Sequence, residues 1–86
     1  MALKEIVGSE IALLRKTLKL SEGEFAERID LADRLQLKEY EGGKRKPGPK
    51  MRKALLKLLS KSTGKYSRLK KLQTTIDERA KQKSLQ

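Results

Sequence analysis

Residues 21–43 of this chain read SEGEFAERIDLADRLQLKEYEGG. Ser21 is followed three residues later by Glu24, the spacing of a capping box at the start of a helix. Three apolar residues of the predicted helix share one face: Phe25, Ala26 and Ile29. The segment Asp30-Leu31-Ala32 then interrupts the pattern. We therefore expect a helix of about two turns that ends at this interruption.

A second helix is predicted in the same stretch. Asp33 is a suitable N-cap residue, and Leu37 and Tyr40 lie three apart, so that both point inward from one helix. The pair Gly42-Gly43 predicts where that helix ends. Residues 21–43 therefore predict two short helices joined by a tight turn.

The segment before this stretch also has helical periodicity. Ile11, Leu14 and Leu18 fall on one face of residues 9–19, and Ser9 is the expected N-cap. This periodicity predicts a first amphipathic helix that packs against the two short ones.

After the stretch, a basic loop with Pro47 and Pro49 leads into a predicted helix over residues 50–61. Its apolar face consists of Met51, Ala54, Leu55, Leu58 and Leu59. Because removing this face would strip a small core, we interpret it as packing surface rather than as a membrane-binding face.

The C-terminal segment, residues 65–86, is strongly basic and carries a narrow apolar stripe. The stripe consists of Tyr66, Leu69, Leu72, Ile76 and Ala80. It predicts either a fifth helix or a tail that folds on a partner. We expect residues 1–64 to form the domain and residues 65–86 to serve dimerisation or partner binding.

Composition favours an all-α fold, a compact bundle of four to five helices. The chain has fifteen Leu but one Phe, two Tyr and no Trp. It has no Cys and no His, which excludes disulfides, thiol nucleophiles, imidazole bases and the usual zinc ligand sets. We therefore expect neither an enzyme nor a bound cofactor or metal. No apolar stretch could span a bilayer, and the chain starts without a signal pattern, so we expect a cytoplasmic location and no membrane partner.

The positive charge is concentrated in the second half of the chain. Residues 1–43 hold 7 basic and 9 acidic side chains, whereas residues 44–86 hold 15 basic and 2 acidic ones, and the chain carries a net charge of +11. A small protein with this asymmetry is suited to a polyanion, most commonly a nucleic acid.

Four short motifs resemble one known family. They are Leu14-Arg15, Leu20-Ser21, Phe25-Ala26-Glu27 and the run from Tyr40 to Pro47. Together they resemble the Cro and phage-repressor (XRE) type of helix-turn-helix domain over about residues 9–60. The resemblance implies a transcriptional regulator that binds double-stranded operator DNA, usually as a two-fold homodimer, with the third helix in the major groove. Three features depart from the family pattern: one extra residue between Ala26 and Glu41, Glu22 where Gln is common and a phosphate contact is expected, and Asp30 where Gly is frequent.

The resemblance, with helical geometry, predicts which side chains contact DNA. Outward side chains of the third helix are expected to read base edges: Arg34, Leu35, Gln36, Lys38 and Glu39. Phosphate contacts are expected from Ser21, Asp33, Lys44, Arg45 and Lys46. Because of the extra residue, either the turn is longer or the base-reading register is shifted by one. Arg15 and Glu41 match a pair that ties the third helix to the first in many family members.

The predicted function is a sequence-specific DNA-binding repressor that acts on a palindromic operator. The alternative is an antitoxin-like module whose basic tail binds a protein partner and which binds DNA for its own regulation. RNA remains a third option, since charge alone does not separate RNA from duplex DNA, although paired exposed aromatics are lacking.

Overall fold

A computed structural model describes residues 4–84, without the side chains of residues 83 and 84, and shows an all-α fold. Its helices are α1 (Gly8–Thr17), α2 (Glu22–Arg28), α3 (Arg34–Glu41), α4 (Pro49–Ser62) and α5 (Ser67–Ser84). Residues 4–84 contain no strand. The predicted all-α class and helical bundle are therefore confirmed.

The start of α1 corrects the sequence-based prediction. Its N-cap is Val7 rather than Ser9, which lies inside the first turn. Glu10 Oε1 accepts a hydrogen bond from the Val7 backbone N–H at 3.0 Å. A glutamate at the third helical position can satisfy the N-cap amide, so the helix begins earlier than a search for a serine cap suggests.

The starts of α2 and α3 are as predicted. Ser21 Oγ accepts from the Glu24 N–H, and Glu24 Oε1 accepts from the Ser21 N–H, both at 3.2 Å, which completes the capping box. Asp33 Oδ1 accepts from the Leu35 N–H at 2.9 Å and caps α3. The connection between the two helices runs from Ile29 to Asp33. It is five residues long, counting the C-cap of α2 and the N-cap of α3.

Three helices end in the same way, with a left-handed residue after the C-cap. Gly43 follows α3 with φ 81°, a conformation that costs glycine little. Lys19 after α1 and Asp30 after α2 adopt φ 58°, where a side chain is unfavourable. At all three ends two backbone N–H groups donate hydrogen bonds to carbonyl oxygens in the last turn of the helix. After α1, the Lys19 N–H donates to the Lys16 carbonyl and the Leu20 N–H to the Arg15 carbonyl.

The crossing of α1 over the end of α3 requires a residue without a side chain. A Cβ built on Gly8 would lie 2.6 Å from the carbonyl oxygens of Tyr40 and Glu41 and 2.9 Å from the backbone nitrogen of Gly43. These neighbours are backbone atoms, which cannot move aside as a flexible side chain can. Gly8 therefore permits the close packing that holds the end of α3 in place.

A single apolar core connects all five helices. Its fully buried large side chains are Ile11, Leu14, Phe25, Ile29, Leu37, Leu55, Leu59, Leu69 and Ile76. The buried leucines of α4 lie in this core, as the sequence predicts. No helix within residues 4–84 is both long and apolar enough to cross a membrane. Leu69, Leu72 and Ile76 of α5 belong to the same cluster. The C-terminal stripe is therefore covered by the chain itself, in a fifth helix that packs on α1 and α4.

Candidate nucleic-acid interface

The short helix α3 is held with one face inward and one face outward. Leu37 is fully buried in the core, and Tyr40 is half-buried against it. The Asp33 cap fixes the first turn, and Gly42 and Gly43 end the helix. With both ends and the inner face fixed, the opposite face is displayed on a rigid element.

The five predicted base-reading residues all lie on α3, but they differ in exposure. Arg34, Leu35 and Lys38 are exposed, and Leu35 with 66% exposure is the most exposed large apolar side chain among residues 4–82. Gln36 and Glu39 are half-buried. Because an apolar side chain gains nothing from water, Leu35 in this position is suited to contact with an apolar group such as a thymine methyl.

The Arg34 side chain lies beside α2. A Cβ on Gly23 would stand 3.8 Å from Arg34 Nη1, an ordinary contact distance, so the guanidinium lies against the first turn of α2. This contact places a cation beside both α2 and α3.

The predicted phosphate contacts separate into two groups. Ser21 and Asp33 are exposed N-cap residues, and both use a side-chain oxygen to accept a backbone hydrogen bond. An ionised carboxylate has no hydrogen to donate to a phosphate, whereas a hydroxyl keeps one. In this geometry Asp33 is suited to holding α3 rather than to contacting DNA directly, and Ser21 can do both.

The basic loop after α3 supplies the second group, Lys44, Arg45 and Lys46, all of which are exposed. The N–H groups of Lys44 and Arg45 donate to the Glu39 carbonyl at 3.0 and 3.3 Å. The Arg45 side chain also pairs with the Glu39 carboxylate at 2.9 Å. The loop is thus fastened to the last turn of α3, and three cations stand next to the outward face of that helix.

Arg15 and Glu41 form a two-pronged ion pair. Arg15 Nε donates to Glu41 Oε2 at 2.8 Å, and Nη2 donates to Oε1 at 3.2 Å. Only 16% and 14% of the two side chains are exposed. Arg15 Nη1 also donates to the Leu20 carbonyl at 3.3 Å. The Glu41 hydrogen bond raises the pKa of Arg15, and the pair joins α1, the approach to α2 and the end of α3.

A second ion pair was not foreseen from the sequence. Arg79 of α5 donates to both oxygens of Glu10, at 2.7 and 3.2 Å, and to the Glu5 carbonyl at 2.7 Å. The hydrogen bond to Glu10 raises the pKa of Arg79. The charge of Arg79 is therefore used inside the molecule and does not belong to the basic surface. The signal in the sequence was Arg79, which follows the only two acidic residues of the basic second half of the chain but lies far from Glu10 in sequence.

The side chains that the sequence selected thus lie on α3, on the loop fastened to it and at the N-cap of α2, and the pair of Arg15 with Glu41 joins α1 to the end of α3. They offer hydrogen-bond donors, one exposed apolar group and several cations. The described residues show no cluster of three acids that could hold a metal ion. Comparison with protein-family models, curated proteins and solved structures finds no match to this chain.

Proposed function

We propose that this protein is a sequence-specific double-stranded DNA-binding regulator, most simply a repressor, with α3 in the major groove. The observation that carries the proposal is the displayed face of α3, on which Arg34, Leu35 and Lys38 are exposed beside a fastened basic loop. The fork of an arginine suits guanine, and loop cations suit phosphates without reading sequence.

The charge distribution supports a nucleic acid as the partner. The second half of the chain carries the whole excess of basic residues, and most of its described cations are exposed. The alternative, a tail that binds a protein partner, requires the apolar stripe of the C-terminal segment to be exposed to solvent. That stripe is buried in the core, so this alternative lacks the apolar surface on which it depended.

The decisive experiment is selection from a random pool of duplex DNA, followed by affinity measurements on the enriched sequence. We expect a defined motif, and a palindromic one if two copies bind together. Equal affinity for enriched and scrambled duplexes at moderate salt would contradict the proposal and leave a nonspecific basic protein.

Two pairs of substitutions test the assigned roles. Arg34→Ala and Gln36→Ala should each cost about 1 to 3 kcal/mol on the selected duplex and relax the preference at one or two base pairs. Lys44→Ala combined with Arg45→Ala should weaken binding to all duplexes alike. If the α3 substitutions lower specific and random binding equally, α3 does not read the bases.

A further inference from the structure

A groove between α1 and α5 forms a second basic surface, apart from α3. It has a volume of about 520 Å³ and is open to solvent. Its walls include Leu13 and Tyr66. Four cationic side chains line it: Lys16, Lys19, Lys65 and Arg68. No acidic side chain lines the groove, so like charges from two helices are collected in one place.

The two helices separate their charges along their length. At one end, Glu10 pairs with Arg79 and Asp77 with Lys4, at 2.7 and 2.8 Å. At the other end lie the four cations of the groove, which form no ion pair within the described residues. Two of the three acids of this helix pair, Glu10 and Asp77, are thus paired at one end, while the cations at the other end have no acidic partner among the ion pairs of the described residues.

Two local features of the groove are unfavourable for stability. The first turn of α5 contains Arg68 and no acidic residue, although a helix N-terminus favours negative charge. Lys19 has φ 58°, a position where glycine would fit without strain. Neither feature is confined to the groove, since Asp30 has the same φ and α3 and α4 also begin without an acidic residue in the first turn, but the groove combines both.

We infer that the groove between α1 and α5 binds the phosphate backbone of duplex DNA beside the segment read by α3. This inference rests on the proposed function. Lys19 lies two residues before Ser21, the N-cap of α2, and docking of a helix-turn-helix places α2 across the phosphate backbone. The groove continues that surface along flanking DNA.

The composition of the groove favours DNA over a membrane surface. A membrane would need exposed apolar side chains as anchors. The exposed large apolar side chains among residues 4–82 are Val7 and Leu35, and neither lines the groove. The apolar side chains that do line it, Leu13 and Tyr66, are half-buried, so its lysines and arginine are left to bind a phosphate chain, whose contacts are electrostatic.

The test compares two variants that each lose three cations. Lys16→Gln, Lys65→Gln and Arg68→Gln remove three of the four cations of the groove. Lys53→Gln, Lys57→Gln and Lys61→Gln remove three exposed lysines of α4 as the control. Binding is measured to the selected duplex with and without about ten flanking base pairs on each side, one turn of DNA. The flanks should strengthen binding of the natural protein and the control, but not of the groove variant. If the flanks fail to strengthen the binding of the groove variant and of the control variant to the same extent, the inference is overturned.

Salt dependence on random duplex separates this inference from the proposed function. The groove variant should flatten the slope of log affinity against log salt by about 2.7, for three lost phosphate contacts, and the control by less. If the groove variant flattens the slope but the natural protein shows no sequence preference, the proposed function is rejected and the groove remains a phosphate-binding surface. An unchanged slope in the groove variant, or loss of binding only to polyglutamate or phosphatidylserine vesicles, would reject the groove as a DNA contact.

A single substitution excludes unfolding as the cause of lost binding. Lys19→Gly relieves the left-handed strain, so its melting temperature should rise while its affinity for flanked duplex falls. Asp30→Gly makes the same backbone change after α2 without removing a cation, and it should raise the melting temperature without loss of affinity. If Lys19→Gly binds flanked duplex as tightly as the natural protein, Lys19 is not a phosphate contact.

Discussion

The ion pair between Arg15 and Glu41 is mostly buried, and each partner needs the other. Glu41→Ala leaves a guanidinium without its carboxylate and should lower the free energy of unfolding by about 3 kcal/mol, measured by chemical denaturation. Glu39→Ala is the matched control, because the pair of Glu39 with Arg45 is about half exposed, at 45% and 51%. It should cost less than about 1 kcal/mol. Equal stability of the two variants would show that the Arg15 pair contributes no more than a surface contact.

Asp30 is a residue whose backbone conformation opposes its side chain. At φ 58° it occupies the position that Gly43 fills after α3. Asp30→Gly should raise the free energy of unfolding by about 0.5 to 1 kcal/mol, because relief of strain exceeds the added entropy of the unfolded chain. Gly43→Ala should lower it. A decrease on Asp30→Gly would show that the exposed contact with Lys50, at 3.9 Å, matters more than the strain.

The helix α5 is an integral part of the fold. Ile76 is fully buried, so Ile76→Ala should destabilise the protein by about 2 to 5 kcal/mol. Thr75→Ala, on the exposed side of the same helix, should change stability by less than about 0.5 kcal/mol. Thermal or chemical denaturation checks both values. Truncation after Gly64, which removes four buried side chains, should leave an unfolded chain, contrary to an independent domain over residues 1–64.

The capping box of α2 makes the stability of the fold depend on pH. Hydrogen bonds from Ser21 lower the pKa of Glu24 below its ordinary value of 4.5. A group whose pKa is lower in the folded state stabilises the protein at pH values above its pKa in the unfolded state. That contribution is lost as the pH falls through its pKa in the folded state. The melting temperature of the natural protein should therefore fall below about pH 4.5, and by more than that of Glu24→Gln. Parallel pH profiles would show that Glu24 carries no such contribution.

At the scale of the whole molecule, the uneven charge predicts steep salt dependence of DNA binding. If six cations contact phosphates, the slope of log affinity against log salt should be about −5. Titrations of one duplex across a series of salt concentrations measure it directly. A slope near zero would be incompatible with binding through the basic surface.

The local structure of this protein is determined by short stretches of sequence. The capping box at Ser21, the Asp33 cap and the end of α3 at Gly42 were all predicted, because each signal and its partner lie within a few residues. The candidate site on α3 was predictable for the same reason, since a single helix with a known inward face fixes which side chains share the other face. The start of α1 was misplaced because Glu10 competes with Ser9 as the source of the cap.

Only the tertiary structure decided how the two ends of the chain meet. Arg79 pairs with Glu10 across 69 residues, and α5 buries its stripe against α1 and α4 rather than against a second copy. The stripe alone was compatible with either arrangement, because an apolar face specifies burial but not what covers it. The basic groove between α1 and α5 follows from the same packing. Its cations come from two segments about fifty residues apart, and packing brings them to the same place only after the core between them has formed.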